Sequence, residues 1–527
     1  MLRRGSEWVV SASDAVAVLE CDHRFALDHA AAAGLVEPVE TVGQATGEMV
    51  RQRRVEHRAD VTAQLRTRLA GGLVEVAPTG TGWAEVERAA EQTEAAMTCG
   101  VPAVRGGVLL VDGVLTRPDV LTRVHPLTGH DLLGPHGRPR YEPLDVLLAH
   151  SVKDAAMVRL GVHAAALVRS GHPAPNQVHA WLGTGEVVSI DAPTSAEPTA
   201  AALEEAQRRA ARPPTVPTLA WADKRRACRT CRWEPRCAAG REQARDLALV
   251  AGIRYRHVPL LRSAGLTTID LFAVAGDDER PEEMDEEVFT ELRSQAAVQV
   301  LGERSGRLEL AVWSPRGLDS LPEPDPGDLY YDIEGSPFHD PDGSLEYLHG
   351  FVDADERYLD IWAHDRLEER TALERTLDLV AERRRRSPRA HVYHFAAYEP
   401  QRLVELAARH GTRQDQVDEL VGSGVLVDLL TVVRGSIQVS GGSRSLKKLE
   451  PLYMGADLRS GQVQDAEASI LEYLRYTELV ARGERLEADR VLRTIRDYNR
   501  DDCVSTHRLH RWLLALASRT AQVAVAP

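Results

Sequence analysis

Leu329-Tyr-Tyr-Asp-Ile-Glu-Gly335 places two carboxylates in a stretch whose other residues favour a buried β-strand. Alternate side chains of a strand share a face, so Asp332 and Glu334 should point one way while Tyr331 and Ile333 point into the packed side. Two neighbouring anions repel each other, and such a pair needs a bound cation, a proton or open solvent. A solvated strand face and a metal site are the two interpretations, and residues further along the chain bear on the choice.

Three later segments carry polar residues in a fixed order. Glu399 follows an apolar strand predicted at residues 391–395, and Asp428 lies in the next apolar stretch. A late helix contains Tyr498 and Asp502, which are four residues apart and therefore share one helix face. Each segment alone is common. Chance is a poor explanation for the whole ordered set.

The set resembles the DEDDy exonucleases of the ribonuclease-H-like fold, and more closely the YprB-type exonuclease domain that is found fused behind RecB-like domains. The resemblance covers most of residues 325–515, including Tyr393-His-Phe-Ala-Ala-Tyr-Glu399 and Ser445-Leu-Lys-Lys448. It implies a metal-dependent nuclease that removes nucleotides in the 3'–5' direction from DNA or RNA. Its expected partner is nucleic acid, in particular single-stranded DNA or a DNA end.

The resemblance implies five site residues, which are Asp332, Glu334, Glu399, Tyr498 and Asp502. The four carboxylates would ligate two Mg²⁺ or Mn²⁺ ions, and the tyrosine would orient or deprotonate the attacking water. Two such ions, about 4 Å apart, can activate water and stabilise the leaving oxygen. Glu399 stands where the superfamily has aspartate, and His394 stands where it has asparagine. Asp428 is an alternative ligand, although its place before two leucines favours a structural role.

Two basic segments are candidates for holding the substrate phosphates. One is the arginine-rich stretch 383–389, and the other is the pair Lys447 and Lys448 after a Gly/Ser-rich loop. An arginine run is equally typical of a solvated helix end.

A cysteine cluster marks the first half of the chain. Cys228, Cys231 and Cys237 lie within ten residues and leave a tetrahedral site one ligand short. Cys21, at the end of a predicted capped helix, is the natural fourth ligand. One distant cysteine plus a compact trio favours a [4Fe-4S] cluster, and structural zinc is the alternative.

The cysteine spacing resembles the iron–sulfur members of the RecB-like PD-(D/E)XK nucleases, over roughly residues 1–240. In that family a helix carries a His or Glu, a hairpin strand an Asp, and the next strand an acid-x-Lys, all around magnesium. The matching positions here are His57 or Glu56, then Asp119, then Asp145.

The catalytic lysine of that pattern is missing, because Leu147 stands in its place after Asp145. Leucine can neither orient water nor counter the charge that develops on phosphate. Lys153, six residues further on, is the candidate replacement, while Arg159 and His163 stand where the family has Gln and Tyr. We therefore predict a degenerate nuclease domain that binds nucleic acid. A dual nuclease with an active N-terminal site is the alternative.

Composition limits the remaining possibilities. A chain of 527 residues should form about two or three domains, and 43% hydrophobic with 27% charged residues is typical of a soluble globular protein. We find no apolar run long enough for a membrane helix and no signal peptide, and we expect a cytoplasmic protein without a membrane partner. The net charge of −15 argues against a protein that coats nucleic acid. It does not argue against a nuclease, since metal-binding carboxylates add negative charge.

These observations predict an α/β protein with a RecB-like PD-(D/E)XK fold and Fe-S cluster at residues 1–240 and a ribonuclease-H-like exonuclease domain at residues 321–520. Residues 241–320, which end in a proline-rich stretch, are expected to form a helical connector and linker. The main alternative function is a non-catalytic DNA-binding repair protein that recruits a helicase partner.

Overall fold

The computed structural model describes residues 1–37, 45–76, 82–219, 221–340, 343–455 and 466–525. The chain divides into two compact units, residues 1–241 and 242–527. Both units combine helices with sheets, as expected for the α/β class. Among the described residues, none of the helices has the length and hydropathy that a bilayer-spanning segment requires.

The strands of unit 1 are β1 (Leu2–Arg4), β2 (Glu7–Ser11), β3 (Leu73–Glu75), β4 (Ala103–Arg105), β5 (Leu109–Val111), β6 (Val114–Thr116), β7 (Val120–Thr122), β8 (Glu142–Val146), β9 (Gln177–Trp181) and β10 (Val187–Asp191). Its α-helices are α1 (Ala12–Glu20), α2 (Asp22–Ala32), α3 (Ala45–Arg68), α4 (Trp83–Thr98), α5 (Asp154–Arg169), α6 (Ala192–Ala210) and α7 (Glu234–Gln243), the last of which ends just past the boundary. Short 3-10 helices cover Pro135–Gly137 and Arg226–Thr230.

Unit 1 is built on a six-stranded sheet in the order β10-β9-β8-β7-β4-β3. A smaller sheet, β1-β2-β6-β5, contains a hairpin of β5 and β6 that turns at Asp112 and Gly113. Both turn residues have positive φ angles, +48° and +71°, as is typical of a two-residue hairpin turn. Strands β7 and β8 are antiparallel neighbours, and this pairing brings Asp119, which directly precedes β7, close to Asp145 of β8.

The strands of unit 2 are β11 (Leu310–Val312), β12 (Leu329–Asp340), β13 (Gly343–Asp353), β14 (Tyr358–Trp362), β15 (Val392–His394), β16 (Leu426–Asp428) and β17 (Ile437–Val439). Its α-helices are α8 (His257–Ser263), α9 (Ile269–Ala273), α10 (Glu286–Ser305), α11 (Arg316–Asp319), α12 (Arg366–Arg386), α13 (Tyr398–His410), α14 (Gln414–Gly422), α15 (Leu429–Ser436), α16 (Leu446–Leu449), α17 (Ala466–Ala481) and α18 (Arg485–Val525). Short 3-10 helices cover Leu247–Leu249, Asp277–Glu279 and Glu450–Leu452.

The sheet of unit 2 has the order β14-β13-β12-β15-β16, with β12 at its centre. β12 to β14 form an antiparallel meander, whereas β15 and β16 run parallel to β12. The alternation predicted for β12 is confirmed, because Leu329, Tyr331 and Ile333 join the core cluster that contains residues of α12 and α13. Tyr330 joins a different cluster, which contains residues of α18. The acidic residues share the face of Tyr330.

The segment expected to be a connector is part of unit 2. β11 pairs with β17, which lies more than a hundred residues later in the chain. Gln295 on α10 also donates a hydrogen bond from Nε2 to the carbonyl oxygen of Val439, at 2.9 Å. Residues of the segment 242–320, which the composition predicts to be a helical connector and linker, therefore pack with later residues of unit 2.

Candidate active site

Three carboxylates converge on one face of the central strand in unit 2. β12 carries Asp332 and Glu334, and α18 brings Asp502 to them. One oxygen from each residue lies within 4.8 Å of the other two. Among the described residues, this is the only set of three or more Asp, Glu, His or Cys side chains that comes so close. Hard divalent cations prefer such oxygen ligands.

Asn499 fixes the first of these carboxylates. Its Nδ2 donates to Asp332 Oδ2 at 2.7 Å, and its Oδ1 accepts a hydrogen bond from Tyr358 Oη at 2.8 Å. The amide fits because Gly350 stands opposite Asp332 in the strand pair. A Cβ atom at Gly350 would lie 1.6 Å from Asn499 Oδ1. The glycine therefore makes room for the amide that orients Asp332.

Glu334 is buried and is held by a hydroxyl group. Ser469 on α17 donates to Glu334 Oε2 at 2.8 Å, and its Oγ also shares a hydrogen bond with Tyr347 Oη at 2.8 Å. Burial, together with the charge of Asp502, raises the pKa of Glu334 to about 8. A cation among these carboxylates would favour the ionised form of Glu334.

Tyr498 lies one turn before Asp502 on α18 and is 6% exposed. Its hydroxyl interacts with the Asp502 carboxylate, and Lys447 donates to Tyr498 Oη from Nζ at 2.7 Å. Burial and the nearby carboxylates hold the pKa of Tyr498 above its usual range. The phenol therefore stands against the acidic cluster as a neutral hydroxyl group.

Glu399 lies at the start of α13, directly after β15, and is 3% exposed. Its Oε2 is 3.5 Å from His394 Nδ1, which in turn is hydrogen-bonded to the carbonyl oxygen of Ala396 at 2.6 Å. Burial raises the pKa of Glu399. Glu399 does not belong to the three-carboxylate set of the described residues, so it lies apart from the closest ligand group.

Asp428 has a structural role as a helix cap. Its side chain accepts hydrogen bonds from the backbone N–H of Leu430 at 2.9 Å and from the hydroxyl of Thr431 at 2.7 Å, and so caps α15. It also accepts from the backbone N–H of Ala396 at 2.8 Å. These bonds tie the end of β16 to the turn after β15, three residues before Glu399.

The predicted phosphate-binding segments differ in their surroundings. Arg385 and Arg386 pair with Glu382 on the same helix, and Arg389 pairs with Glu323, as expected of a solvated helix end. Lys448 is exposed, while its neighbour Lys447 reaches the tyrosine described above.

In unit 1, the structure brings Asp119 and Asp145 together with basic side chains. Asp119 accepts from the backbone N–H of Val146 at 2.8 Å and pairs with Arg58 at 3.0 Å. Asp145 is 2% exposed and pairs with Arg159 at 2.6 Å, and His163 Nε2 lies 3.3 Å from it. Each of the two carboxylates therefore already pairs with an arginine.

The groups around Asp119 and Asp145 shift the pKa of both carboxylates. Burial alone would raise the pKa of Asp145, but His163 and Arg159 hold it well below its usual range. Burial and the charge of Asp145 raise the pKa of Asp119. Asp145 thus already has the positively charged Arg159 as an ion-pair partner.

The other residues predicted for this site are Lys153, His57, Glu56 and Leu147. Lys153 is exposed and is the N-cap residue of α5. His57 is half-buried on α3, and Glu56 pairs with Arg53 on the same helix at 3.2 Å. Leu147 directly follows β8, with its amide bonded to the carbonyl oxygen of Trp181.

The four cysteines predicted as ligands line one cavity in unit 1, and they are Cys21, Cys228, Cys231 and Cys237. The backbone N–H of Arg225 donates to the sulfur of Cys228 at 3.3 Å. Backbone N–H groups of Trp233 and Ala222 act in the same way on the next two thiols of the trio. Burial nevertheless raises the pKa of all three thiols of the trio. The remaining cysteines are separate, with Cys99 exposed and Cys503 buried in unit 2.

Comparison with known proteins adds one finding. Residues 329–514 match the family model of the RNase_H superfamily. The match supports the predicted ribonuclease-H-like domain and indicates a nuclease-type enzyme whose substrate is nucleic acid. Searches of curated proteins and of solved structures gave no significant match.

Proposed function

We propose that this chain is a metal-dependent exonuclease that removes nucleotides from the 3' end of DNA or RNA through the site in unit 2. The observation that carries the proposal is the convergence of Asp332, Glu334 and Asp502, with Tyr498 hydrogen-bonded beside them. The order of these residues along the chain is that of the DEDDy exonucleases.

The donor set fits a divalent cation. Its oxygen atoms are hard ligands, and an uncompensated buried anion such as Glu334 is costly without a positive partner. Asp332, Glu334 and Asp502 would hold Mg²⁺ or Mn²⁺, which supplies charge neutralisation and water activation when bound. Glu399 is the proposed ligand for a second ion.

The chain's own groups orient the reaction. Asn499 and Ser469 hold Asp332 and Glu334 through hydrogen bonds, so these carboxylates keep their direction when substrate enters. In this proposal the Tyr498 hydroxyl aligns the attacking water with the scissile phosphate. Preorganised groups of this kind lower the barrier because they need no rearrangement during the reaction.

We further propose that unit 1 binds nucleic acid without cleaving it. The support is the pairing of Asp119 with Arg58 and of Asp145 with Arg159, together with the leucine at position 147. An arginine beside each carboxylate competes with a divalent cation for the same oxygens.

A [4Fe-4S] cluster is the proposed occupant of the cysteine cavity. A tetrahedral zinc site brings its sulfurs to within about 4 Å of one another, given Zn–S bonds of about 2.3 Å. Among the described residues, no three of these sulfurs lie within 4.8 Å of one another, and this spacing favours the wider cluster. Backbone N–H groups directed at the sulfurs also suit cysteines that act as terminal thiolate ligands of the cluster irons.

The cluster is tested on anaerobically purified protein. We expect brown protein with iron and sulfide in equal amounts, and loss of both after Cys231→Ser, while Cys99→Ser keeps them. One zinc per chain with neither iron nor sulfide would contradict the assignment.

The nuclease activity is tested with single strands labelled at the 5' or the 3' end, in Mg²⁺, in Mn²⁺ and in EDTA. We expect stepwise shortening from the 3' end that EDTA abolishes. Asp332→Ala and Asp502→Ala should slow it by roughly a hundredfold or more, because they remove metal charge when the phosphate oxygens gain theirs. Tyr498→Phe should be milder, and Glu399→Asp should weaken cleavage while leaving it detectable.

Two outcomes would overturn the proposal. If Asp332→Ala and Asp502→Ala cleaved as fast as the unaltered protein, the site would lie elsewhere. If the unaltered protein bound labelled strands but cleaved none of them with either metal ion, the alternative of a non-catalytic DNA-binding protein would take its place.

A further inference from the structure

Lys447 places an ammonium group inside the candidate site. The residue lies on the short helix α16, with Nζ 2.7 Å from Tyr498 Oη and 4.5 Å from the centroid of the tyrosine ring. Its side chain is half-buried, whereas the next residue, Lys448, is exposed. The two lysines that follow the Gly/Ser-rich loop therefore have different surroundings, although they are adjacent in sequence.

The chemistry of the two groups fixes the direction of this hydrogen bond. An ammonium group has donors and no acceptor, so Tyr498 Oη must be the acceptor. The hydroxyl proton of Tyr498 then has to point away from Lys447. The carboxylate of Asp502, one helical turn further along α18, is the acceptor on that side.

We propose that Lys447 is the positioning residue of Tyr498, whose phenol oxygen it holds with the hydroxyl proton turned toward Asp502. The inference rests on the proposed function, because the tyrosine is taken to align the attacking water. It differs from the simpler role of a lysine that binds a substrate phosphate. In the positioning role, the effect of Lys447 passes through the Tyr498 hydroxyl.

The contact itself can be tested without substrate or metal. Thermal unfolding is measured for Lys447→Met, Tyr498→Phe and the double variant, in buffer with EDTA. If the hydrogen bond is formed, either single change removes it, and the Tm shift of the double variant should be smaller than the sum of the two single shifts. Additive Tm shifts would overturn the inference. This result does not depend on whether the protein cleaves nucleic acid.

The positioning role of Lys447 is tested with the same two single variants and the double variant, in single-turnover cleavage of a 3'-labelled strand. We expect Lys447→Met to lower the saturating rate roughly ten- to a hundredfold, with the half-saturating protein concentration unchanged. In the Tyr498→Phe background, Lys447→Met should cause no further loss. Lys447→Arg, which keeps a charged donor, should recover part of the rate.

Arg482→Met is the control, because it removes one positive charge from an exposed position just after α17 in the same unit, and it should cleave like the unaltered protein. If the loss caused by Lys447→Met persisted in the Tyr498→Phe background, with weaker binding and a smaller salt dependence, Lys447 would be a phosphate ligand and the inference would fail. Absence of cleavage by the unaltered protein would defeat the proposed function. The Tm shifts of the single and double variants would still test the hydrogen bond between Lys447 and Tyr498.

Discussion

At the scale of single residues, the candidate site depends on groups that hold the acids in place. Asn499 donates to Asp332, Ser469 donates to Glu334, and Gly350 leaves the space that the asparagine amide occupies. A hydrogen bond to a charged group contributes about 1.5–3 kcal/mol when both partners are fixed. Small changes in these supporting residues should therefore affect the acids without removing any of them.

Gly350→Ala is the sharpest test of this support. Its Cβ would meet Asn499 Oδ1 at 1.6 Å, so the amide must move and Asp332 loses its donor. We expect a rate reduced by at least tenfold and a stability loss of about 1–3 kcal/mol from overpacking. Both are measured by single-turnover cleavage and urea unfolding.

Gly422→Ala is the control for that change. Gly422 ends α14 in the same unit, has no positive φ angle, and has no atom within 4 Å of the added Cβ position. Alanine there should leave the rate unchanged and stability equal or slightly higher. An active Gly350→Ala variant would mean that Asn499 does not control Asp332.

At the scale of elements, the central strand and the last helix place the chemistry. β12 offers acids on the face that includes Tyr330, and α18 supplies Tyr498 and Asp502 from a single turn. Two connecting turns, after β15 and after β16, are tied by Asp428. That tie holds the start of α13, where Glu399 is found.

Asp428→Ala should lower stability and have a much smaller effect on cleavage. The change removes the cap of α15 and the bond to the Ala396 amide, and we expect a loss of about 1–2 kcal/mol in unfolding free energy. At a temperature where the variant stays folded, cleavage should fall by much less than with Asp332→Ala. Asp365→Ala, which removes the cap of α12 in the same unit, is the matched control. Loss of all cleavage in folded Asp428→Ala, but not in Asp365→Ala, would identify Asp428 as a metal ligand.

The sequence alone predicted the elements better than the contacts between them. The alternation in residues 329–335 and the four-residue spacing of Tyr498 and Asp502 are local patterns, and each is confirmed as a strand or a helix face. The partnership of Ser469 with Glu334 joins residues 135 positions apart, so no local pattern could reveal it. The pairing of β11 with β17 is hidden for the same reason, and composition alone suggested a linker there.

The sequence contains signals for Asn499 and Lys447, but each signal fits more than one role. Asn499 directly follows Tyr498 inside a recognised motif, and a polar residue on the acidic face of that helix is a reasonable candidate. Lys447 belongs to a pair of lysines after a loop, a pattern that fits phosphate binding as well as it fits the tyrosine contact. Only the packing of α16 distinguishes it from Lys448.

At the scale of the whole molecule, two compact units each carry a set of acids in a different electrostatic state. In unit 2 the acids are close together, and burial raises the pKa of Glu334 to about 8. In unit 1, Arg159 and His163 hold the pKa of Asp145 well below its usual range. The first arrangement favours an added cation, and the second already contains an arginine beside each carboxylate.

This contrast predicts that changes in unit 1 alter stability and leave cleavage intact. Arg159→Met leaves buried Asp145 with one partner fewer, and we expect a loss of about 1–3 kcal/mol, reduced by the partial exposure of the arginine. Asp145→Ala should likewise lower the Tm without changing the cleavage rate of the remaining folded protein.

The decisive comparison sets Asp145→Ala against Asp332→Ala in the same cleavage assay, with DNA binding and circular dichroism as checks on the fold. If Asp145→Ala or Asp119→Ala abolished cleavage in folded, DNA-binding protein, unit 1 would be an active nuclease. Lys153 would then be the candidate for the catalytic lysine of unit 1.

The cavity lined by four cysteines also implies that the Cys21 thiol is unprotected in the nascent chain. Cys21 leaves the ribosome long before Cys228, and at about 5–20 residues per second the delay is roughly ten to forty seconds. Throughout that interval the thiol lacks the neighbours that surround it in the finished unit. An oxidant pulse should therefore damage chains still being translated more than completed ones.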